Sequence, residues 1–446
     1  MTGTLNQPKR ILILGSGFGG LYTALRLEKK LRRTFDVQVT LVNRENFFLF
    51  TPMLHEVAAG DLDITHIVNP VRKLLRRANF FNGNIRSIDL KKRKVVATHA
   101  DDNHDHDLNY DYLVLALGSV TNFYNLPGLA ENALTMKSLS DAILLRSRLI
   151  KNLEDADFEC SCEDRSRLLT VVVAGGGFAG VETVASVNDF VREAIGYYPR
   201  LTANDLRIVL IEAGDSILPE LGLKLGTYAR EKLAVRGVEF LMKTSVMSVS
   251  DGEVRLSDGS TIKTNLLVWT AGVSTNPLLN TLDCSKERGR LITNEFLEVE
   301  GWTGVWALGD CAAVPDPSTG KSCPPTAQHA LRQGKIVADN ILATISGGRK
   351  RPFEFKTIGA LASIGRRTGV ARILGVNFSG FVAWWLWRTI YLSKLPRFEK
   401  KVRVALDWAL DLLFSKDLVQ FMDLSFRRAE PPNIEERIQA ARAQAI

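Results

Sequence analysis

Two short glycine runs have the spacing that lets a backbone turn hold a pyrophosphate. Each run reads G-x-G-x-x-G, and the glycines are Gly15, Gly17 and Gly20 in the first run and Gly175, Gly177 and Gly180 in the second. In this motif the first glycine permits a tight turn, the second lets a phosphate approach the backbone, and the third lets a helix pack closely on a strand. One such run is a weak signal, because a tight turn without a ligand has the same glycines. Two complete runs predict two bound dinucleotides.

The residue that would contact the adenosine ribose differs between the two runs. It stands at the end of the next strand along the chain, where a carboxylate usually binds the ribose hydroxyls. This position holds Glu212 after the second run and Asn43 after the first. A carboxylate repels a 2′-phosphate, so Glu212 predicts a preference for NADH over NADPH. The Asn43 amide can still hydrogen-bond a ribose hydroxyl.

Buried strands and amphipathic helices must hold these residues in place. An apolar run precedes each glycine run and a helical pattern follows it, which is the context that the motif requires. The predicted strands are 11–14, 37–42, 169–174, 206–211 and 304–308, and predicted helices follow Gly20, Gly180 and the step Pro324-Pro325-Thr326. Fully apolar strands of this kind belong to parallel sheets covered on both faces. The predicted fold class is therefore α/β, with two Rossmann-like dinucleotide-binding domains.

Composition and charge limit what else the chain can be. Its 446 residues suffice for two or three domains, and 46% apolar and 24% charged residues are typical of globular proteins. Five scattered cysteines argue against a secreted disulfide framework. The polar stretch from Met1 to Arg10 has no signal-like apolar segment, so we expect the body of the protein to stay in the cytoplasm. No nucleic-acid motif accompanies the net charge of +8.

Taken together, these motifs resemble the two-dinucleotide-binding flavoproteins and, among them, the type II NADH dehydrogenases, which are single-subunit NADH:quinone oxidoreductases. The resemblance covers nearly the whole chain. Besides the glycine runs it includes Phe50-Thr51-Pro52-Met53-Leu54, Leu115-Ala116-Leu117-Gly118, Gly180-Val181-Glu182, Trp269-Thr270-Ala271-Gly272-Val273, Ala307-Leu308-Gly309-Asp310 and Thr326-Ala327-Gln328-His329-Ala330. It implies FAD at the first run, NADH as the substrate at the second, and an NADH domain inserted into a discontinuous FAD domain.

The resemblance also assigns further residues to the two dinucleotides. Asp310 is expected to bind a ribityl hydroxyl of the flavin, and the helix that starts at Ala327 should point its N-terminus at the flavin pyrimidine edge. The remaining contacts implied for FAD are Phe18, Gly19, Arg44, Thr51, Ala116, Gly118 and Gly309. Those implied for NADH are Phe178, Ala179, Ala271 and Gly272.

Two residues match catalytic positions of that family. Gln328 matches the first glutamine of an Ala-Gln-x-Ala-x-Gln pattern, which lines the quinone headgroup site, while Arg332 occupies the second glutamine position. Glu182 matches a glutamate implicated in proton movement to the quinone. A glutamate near a helix N-terminus is also favoured by the helix dipole alone, so a purely structural role stays open. The implied reaction passes a hydride from NADH to FAD and two electrons to a membrane quinone. We expect no proton pumping, because no pumping segment or metal site is visible in the sequence.

Other redox chemistries need cysteines in particular places. Disulfide reductases carry a cysteine pair on the first helix of the FAD domain, and residues 30–60 contain no cysteine. Cys311 and Cys323 leave a sulfide:quinone reductase as an alternative. An NADH reductase of a soluble redox protein and an NADH-sensing flavoprotein that acts as a binding module also stay open. The acidic stretch from Asp101 to Asp107 predicts a solvated hairpin rather than a metal site.

The last hundred residues depart from the α/β pattern. The segment from Phe378 to Leu392 is rich in tryptophan and too short to cross a membrane. Its aromatic residues, with the basic residues that follow, predict a helix lying at an anionic membrane surface. The aromatic residues are Trp384, Trp385, Trp387 and Tyr391, and the basic residues are Lys394, Arg397, Lys400, Lys401 and Arg403. Val402 to Phe421 predicts a second, amphipathic helix, for which packing on the protein's own core or on a second copy in a homodimer is the alternative.

These patterns predict four segments along the chain. Residues 1–140 and 271–350 form the FAD domain, residues 141–270 the NADH domain, and residues 351–446 a membrane-association region. We expect a peripheral protein on the cytoplasmic face of the cell membrane.

Overall fold

Short parallel strands build the part of the chain that carries the first glycine run. The computed structural model describes residues 8–31, 36–99 and 104–422; the first residues of the polar N-terminal stretch, residues 100–103 of the acidic stretch and residues 423–446 of the C-terminal region lie outside this description. The first elements are β1 (Lys9–Leu14), α1 (Phe18–Lys30), β2 (Val37–Asn43), β3 (Phe47–Leu49), α2 (Leu54–Ala58), β4 (Val68–Pro70), α3 (Val71–Leu74), β5 (Asn79–Asn82), β6 (Asn84–Asp89), β7 (Lys94–Thr98), β8 (Asp105–Asn109), β9 (Tyr112–Leu115), β10 (Ser119–Thr121) and α4 (Leu129–Asn132).

A second set of strands and helices surrounds the second glycine run. Its elements are β11 (Ala133–Thr135), α5 (Leu139–Phe158), α6 (Cys162–Leu168), β12 (Thr170–Ala174), α7 (Phe178–Ala194), β13 (Arg207–Glu212), α8 (Leu223–Val235), β14 (Val238–Met242), β15 (Val246–Ser250), β16 (Glu253–Leu256), β17 (Thr261–Lys263) and β18 (Leu266–Trp269). The chain then returns through β19 (Val273–Thr275), β20 (Lys286–Glu287), β21 (Arg290–Ile292), β22 (Val305–Ala307), β23 (Ala312–Ala313) and α9 (Ala327–Ser346). The remaining elements are β24 (Gly359–Ser363), β25 (Gly369–Ile373), β26 (Val376–Ser379), α10 (Gly380–Lys394) and α11 (Phe398–Leu410).

Two five-stranded parallel sheets place the glycine runs at equivalent points. The first has the order β22-β9-β1-β2-β5, and the second has the order β11-β18-β12-β13-β14. Each glycine run follows the middle strand of its sheet, and Ile11 to Leu14 and all of β12 are buried. Because β22 joins the first sheet after the second sheet is complete, the first sheet is discontinuous in sequence. The predicted α/β class is confirmed.

Helices α1 and α9 pack closely against each other at Gly334. A Cβ atom on Gly334 of α9 would lie 2.4 Å from the Gly19 carbonyl oxygen of α1, so only glycine permits the approach. The α9 N-terminus is capped by Thr326, whose side chain accepts the His329 N–H. The predicted helix after Pro324-Pro325-Thr326 is therefore present, and at Gly334 it packs on the helix that follows the first glycine run.

The C-terminal elements differ from the sequence prediction in two ways. The first helix, α10, begins at Gly380 rather than Phe378, which belongs to β26. The second helix is α11, which spans Phe398–Leu410 rather than Val402 to Phe421. It ends early because the chain beyond it is held by the protein body, where Lys416 pairs with Asp61 at 2.5 Å. Sequence periodicity carries no information about that tertiary contact.

The tryptophans of α10 also differ from the prediction that they face a membrane. Trp384 and Trp387 are buried, whereas Trp385 is exposed. Residues three apart share one face of a helix, so Trp384 and Trp387 pack on the protein together. Lys400 is likewise buried and donates to the Thr65 carbonyl oxygen at 2.6 Å, so it does not face lipid. Among the residues that the structure describes, no helix has the length and apolar character needed to cross a bilayer.

The acidic stretch belongs to a hairpin. Strands β7 and β8 pair antiparallel, with Thr98 opposite Asp105, and residues 100–103 are outside the description. This pairing agrees with the predicted hairpin.

Candidate active site

The first glycine run forms a tight turn against the end of β9. Gly15 has a φ of +99°, and a Cβ there would lie 2.3 Å from the Ala116 carbonyl oxygen. A Cβ on Gly20 would lie 1.9 Å from the Gly15 carbonyl oxygen, so both positions require glycine. Gly17, in contrast, faces open space, with no heavy atom within 4 Å of a Cβ built on it. Gly17 precedes α1, whose first N–H groups lack intrahelical partners. This cradle fits a pyrophosphate.

The second glycine run repeats the geometry of the first. Gly175 has a φ of +111°, and a Cβ there would lie 2.9 Å from Ala271 N, while a Cβ on Gly180 would lie 1.8 Å from the Gly175 carbonyl oxygen. Gly177 again faces open space ahead of α7, which starts with Phe178 and Ala179. Ala271 therefore closes the second turn as Ala116 closes the first.

The two ribose positions are held differently. Both oxygens of Glu212 accept backbone N–H bonds, from Gly176 at 2.5 Å and from Gly214 at 2.6 Å, so its carboxylate is fixed beside the second turn. Asn43 Oδ1 accepts the Ser16 N–H at 2.9 Å, which fixes the amide beside the first turn. Arg44 is exposed and pairs with Glu45 at 2.6 Å. Each predicted ribose residue thus adjoins its own glycine run.

The remaining residues predicted for FAD surround the first turn. Phe18 packs on Phe48 and Phe50 at ring distances of 5.0 and 5.8 Å, and Thr51 is exposed at the start of the turn before α2. Gly19 packs on Leu308, since a Cβ there would lie 2.4 Å from the leucine side chain. Gly118 has a φ of +65° with open space in front of it.

Asp310 belongs to a polar cluster at the end of β22. The Ser119 hydroxyl donates to Asp310 at 2.6 Å, and Lys137 donates to the same hydroxyl at 2.6 Å. Burial lowers the pKa of Lys137, which the charge of Asp310 partly offsets. Beside this cluster, Gly309 donates its N–H to the side chain of Gln333, on the second turn of α9, at 2.8 Å. Ser119, Lys137 and Gln333 were not among the predicted site residues, because their roles depend on loops that only the fold brings together.

Glu182 is buried on the helix that the second glycine run begins. Its Oε1 accepts the Ser363 backbone N–H at 3.1 Å and the Trp387 indole N–H at 3.0 Å. Its Oε2 lies 3.8 Å from His55 Nδ1. Burial raises the pKa of Glu182 to about 8, against the lowering effect of the two N–H donors. A carboxyl group of this kind can hold a proton near neutral pH and release it to a neighbour.

Gln328 and Glu182 lie at opposite ends of one strand. The Gln328 side chain donates to the Gly359 carbonyl oxygen at 2.8 Å, at the start of β24, while Ser363 at its end donates to Glu182. Four residue steps of about 3.3 Å separate these ends by about 13 Å. Arg332 donates to the Gln328 carbonyl oxygen at 2.9 Å and stacks on Phe355 at 3.9 Å. The arginine thus fixes the backbone of Gln328 in place of a second glutamine.

Aromatic rings of α10 pack against Phe50 and against His55 of α2. Tyr391 lies 6.1 Å from Phe50 and 4.9 Å from Trp387, and His55 lies 5.5 Å from Trp387, all measured between ring centres. Burial lowers the pKa of His55 to about 3, so this imidazole is neutral. Its Nε2 has no hydrogen-bond partner among the described residues. His55 was missed from the sequence, although a His-Glu pair inside the apolar run from Leu54 to Ala59 is a usable signal.

Comparison with known proteins assigns the chain to a family. Residues 9–334 match the family described as pyridine nucleotide-disulphide oxidoreductase, and residues 358–417 match the NDH2 C-terminal domain. A type II NADH:quinone oxidoreductase of Mycobacterium tuberculosis is 33% identical over 432 residues, which cover 93% of this chain and 90% of that one. The chain belongs to the type II NADH dehydrogenases. A probable NADH dehydrogenase of Dictyostelium discoideum is 31% identical over 427 residues, and this match covers 94% of the present chain and 93% of that relative.

The fold of this type II NADH dehydrogenase also matches a solved structure. The structure of NDH2 from Plasmodium falciparum in complex with NADH superposes with a TM-score of 0.87 at 22% identity, covering 93% of this chain and 100% of that one. Because the sequence identity is only 22%, this match establishes a shared fold.

The two thiols of this type II NADH dehydrogenase that were candidates for sulfide chemistry, Cys311 and Cys323, are buried. Cys311 is buried, and its Sγ lies 3.2 Å from both the Leu115 and the Leu308 carbonyl oxygen, which share its single S–H donor. Burial raises the pKa of Cys311 to about 11 and that of Cys323 to about 11. A thiol is reactive as the thiolate, so the raised pKa disfavours the reactive form of both side chains near neutral pH. This finding argues against a sulfide:quinone reductase.

Proposed function

We propose that this chain is an FAD-dependent NADH:quinone oxidoreductase in which Glu182 supplies a proton to the quinone. One observation carries the proposal: α7 begins at the second glycine run and holds a buried, hydrogen-bonded carboxyl group on its second turn. The residue that would protonate the acceptor is therefore rigidly attached to the site for the electron donor.

The two dinucleotides would be held by the two equivalent turns. FAD would lie on Gly17 and the α1 N-terminus, with Asn43 at its ribose and Asp310 at its ribityl chain. NADH would lie on Gly177, with Glu212 at its ribose. When bound, the flavin accepts a hydride from NADH and supplies two electrons to the quinone.

The chain's own residues orient the quinone and manage its protons. Gln328 is held by Gly359 and Arg332, so its amide can present one fixed edge to a quinone carbonyl. Glu182 keeps its proton until a more basic oxygen arrives, because burial disfavours its carboxylate form. The division of the chain at residues 140, 270 and 350 stays part of this proposal.

The experiment that tests this function follows turnover of the purified flavoprotein. With NADH and a short-chain quinone, we expect rapid quinone reduction, and Glu182→Gln should lower kcat about 100-fold through loss of general acid catalysis. The flavin should still be reduced by NADH in this variant. If the native protein reduces no quinone, or if Glu182→Gln turns over at the native rate, the proposal is wrong.

We further propose that an apolar stripe on α11 binds an anionic membrane surface from the cytoplasmic side. We call the exposed residues Phe398, Val402, Leu406 and Leu410 the α11 stripe; they recur every fourth position and so lie on one side of the helix. Exposed Lys394 and Arg403 flank the stripe. Basic residues beside exposed apolar side chains favour anionic lipid, where a lipid-soluble quinone also resides.

Vesicle flotation tests this surface without disturbing the core. A deletion from Phe378 onward would remove Trp387 from Glu182, so point substitutions are the better probe. We expect Leu406→Glu with Leu410→Glu to abolish flotation with anionic vesicles, while Val235→Glu, at an exposed residue of α8, should float like the native protein. Unchanged flotation would refute the membrane role. A change in sedimentation with unchanged flotation would assign the stripe to a homodimer instead.

A further inference from the structure

A polar cavity reaches from the surface to the neighbourhood of Glu182. It has a volume of about 150 Å³ and lies between α2, α7, α10 and residues 411–416. Its lining includes Glu56 and Ser363, which are buried, and Leu412 and Arg366, which are exposed. A water molecule needs roughly 10–15 Å³ of such space and several polar partners, so the cavity can hold a chain of waters.

Glu56, which lines this cavity, is a buried carboxyl group with surroundings similar to those of Glu182. It is buried on α2, and its Oε2 accepts the Trp408 indole N–H of α11 at 3.0 Å. Burial raises the pKa of Glu56 to about 8. Each of the two buried carboxyl groups thus accepts an indole N–H from a C-terminal helix, and the two indoles, Trp387 and Trp408, lie 6.4 Å apart.

The structure connects Glu56 with Glu182 in three ways. His55, the neighbour of Glu56 on α2, lies 3.8 Å from Glu182. Ser363 lines the cavity and donates its N–H to Glu182. The charge of Glu56 raises the pKa of Glu182, so ionisation of one carboxyl group disfavours ionisation of the other. The pair is therefore suited to pass a single proton.

The stoichiometry of the reaction requires a proton from water. Reduction of a quinone to a quinol consumes two electrons and two protons, whereas a hydride supplies two electrons and one proton. The second proton must enter the protein from solvent in each turnover. Glu182 is buried, so this proton needs a route through the protein.

We propose that Glu56 and the polar cavity form the inlet through which this proton reaches Glu182. The inference rests on the proposed role of Glu182 as proton donor. The Glu182 O–H bond breaks as its proton leaves for the quinone through the polar groups or water between them, and an O–H bond forms on the quinone oxygen. The Glu182 carboxylate then takes a proton from Glu56 by way of intervening water. Glu56 then takes up a proton that enters from bulk solvent along the waters of the cavity, so that each turnover consumes one solvent proton. Glu56 touches neither substrate nor cofactor in this scheme and acts only through Glu182.

The charges around the pair come from several elements and largely balance. The cation of Arg388 favours the ionised form of Glu56, and the charges of Asp61 and Asp411 oppose it. The titratable and charged groups near the two carboxyl groups are His55, Asp61, Arg388, Tyr391, Asp411 and Lys416, and the cavity is also lined by Asp189, Glu193, Arg366 and Arg367. Of these, His55 is neutral near pH 7 because burial lowers its pKa to about 3.

Stopped-flow absorption of the flavin in the holoenzyme separates the two half-reactions. We expect Glu56→Gln to leave reduction by NADH unchanged and to slow reoxidation by a short-chain quinone about tenfold or more, a loss typical of impaired proton transfer. Formate, a small acid that fits the cavity, should restore much of the reoxidation rate. Ser186→Leu, which fills the cavity and keeps Glu56, should slow reoxidation without rescue by formate. The control Glu298→Gln removes a carboxylate that does not line the cavity and should leave both rates unchanged.

Several outcomes would overturn the inlet. It is refuted if Glu56→Gln reoxidises at the native rate, or if both half-reactions slow equally and formate has no effect, which would show a structural role. Failure of the inlet is distinct from failure of the proposed function. If only the inlet fails, flavin reoxidation is slow in Glu182→Gln and native in Glu56→Gln. If the proposed function fails, flavin reoxidation in Glu182→Gln also proceeds at the native rate. Infrared spectroscopy gives a readout independent of turnover, because a protonated-carboxyl band should be lost in Glu56→Gln at neutral pH.

Discussion

Replacing Trp387 by phenylalanine should raise the pH at which quinone reduction declines. The substitution removes the indole N–H that donates to Glu182 at 3.0 Å and keeps an aromatic ring between His55 and Tyr391. That N–H favours the carboxylate form of Glu182. Its loss therefore raises the pKa of Glu182 further above the value of about 8 that burial produces.

The size of the shift follows from the strength of the lost bond. A hydrogen bond to a charged group contributes about 1.5–3 kcal/mol, and one pKa unit corresponds to about 1.4 kcal/mol, so the pKa should rise by about one to two units. A proton donor is active while protonated, so activity falls as the pH rises through its pKa. The falling limb of the pH profile should therefore move from about pH 8 to about pH 9 or higher.

The assay is the pH dependence of steady-state quinone reduction at saturating NADH. Trp302→Phe is the matched control, because it removes an indole N–H that donates to the Asp283 carbonyl oxygen at 3.2 Å and touches no buried carboxyl group. The control should keep the native pH profile. A falling limb that stays in place in Trp387→Phe, or moves to lower pH, would refute the assignment of this limb to Glu182.

Three further predictions concern the dinucleotide turns and the buried acid. Gly17→Ala should fold normally, because a Cβ there meets no atom within 4 Å, yet it should lose FAD on purification. Gly177→Ala should keep FAD and raise the KM for NADH. Flavin absorbance and NADH kinetics measure these effects, and equal FAD content in the two variants would contradict the assignment. Glu212→Ala should raise the ratio of kcat/KM for NADPH to that for NADH by about tenfold or more, through loss of charge repulsion, and an unchanged ratio would remove its ribose role. Because the pKa of Glu182 is raised from 4.5 to about 8, the folded protein keeps a proton that the unfolded chain releases, so stability falls as the pH rises through this range. As the pH rises from about 5 to about 8, the free energy of unfolding of the native protein should therefore fall by up to about 4 kcal/mol relative to that of Glu182→Gln. Denaturant titrations showing no such relative change would contradict the burial of this acid.

Local patterns were sufficient to predict the two dinucleotide turns. In each turn the same short segment contains the strand, the glycines and the helix start. The steric reason for Gly20 lies within that segment, at the Gly15 carbonyl oxygen, whereas Gly15 is required by the Ala116 carbonyl oxygen of a distant segment. The placement of Asn43 and Glu212 beside the two turns could be predicted because parallel neighbouring strands end at one edge of a sheet.

Contacts between distant segments could not be predicted in the same way. The α11 helix ends at Leu410 because Lys416 is drawn to Asp61, which is far earlier in the chain, and no periodicity describes that attraction. Trp387 has a composition typical of a membrane interface, but its N–H is satisfied inside the protein by Glu182. Glu56 became visible only when the fold placed Trp408 against it.

An anaerobic absorption titration of the purified protein decides whether the chain connects NADH to a quinone through a bound flavin. The protein should show an oxidised-flavin spectrum that NADH bleaches and that a short-chain quinone then restores in full. A protein without flavin absorbance, or a bleached flavin that the quinone leaves bleached, would contradict the proposed function.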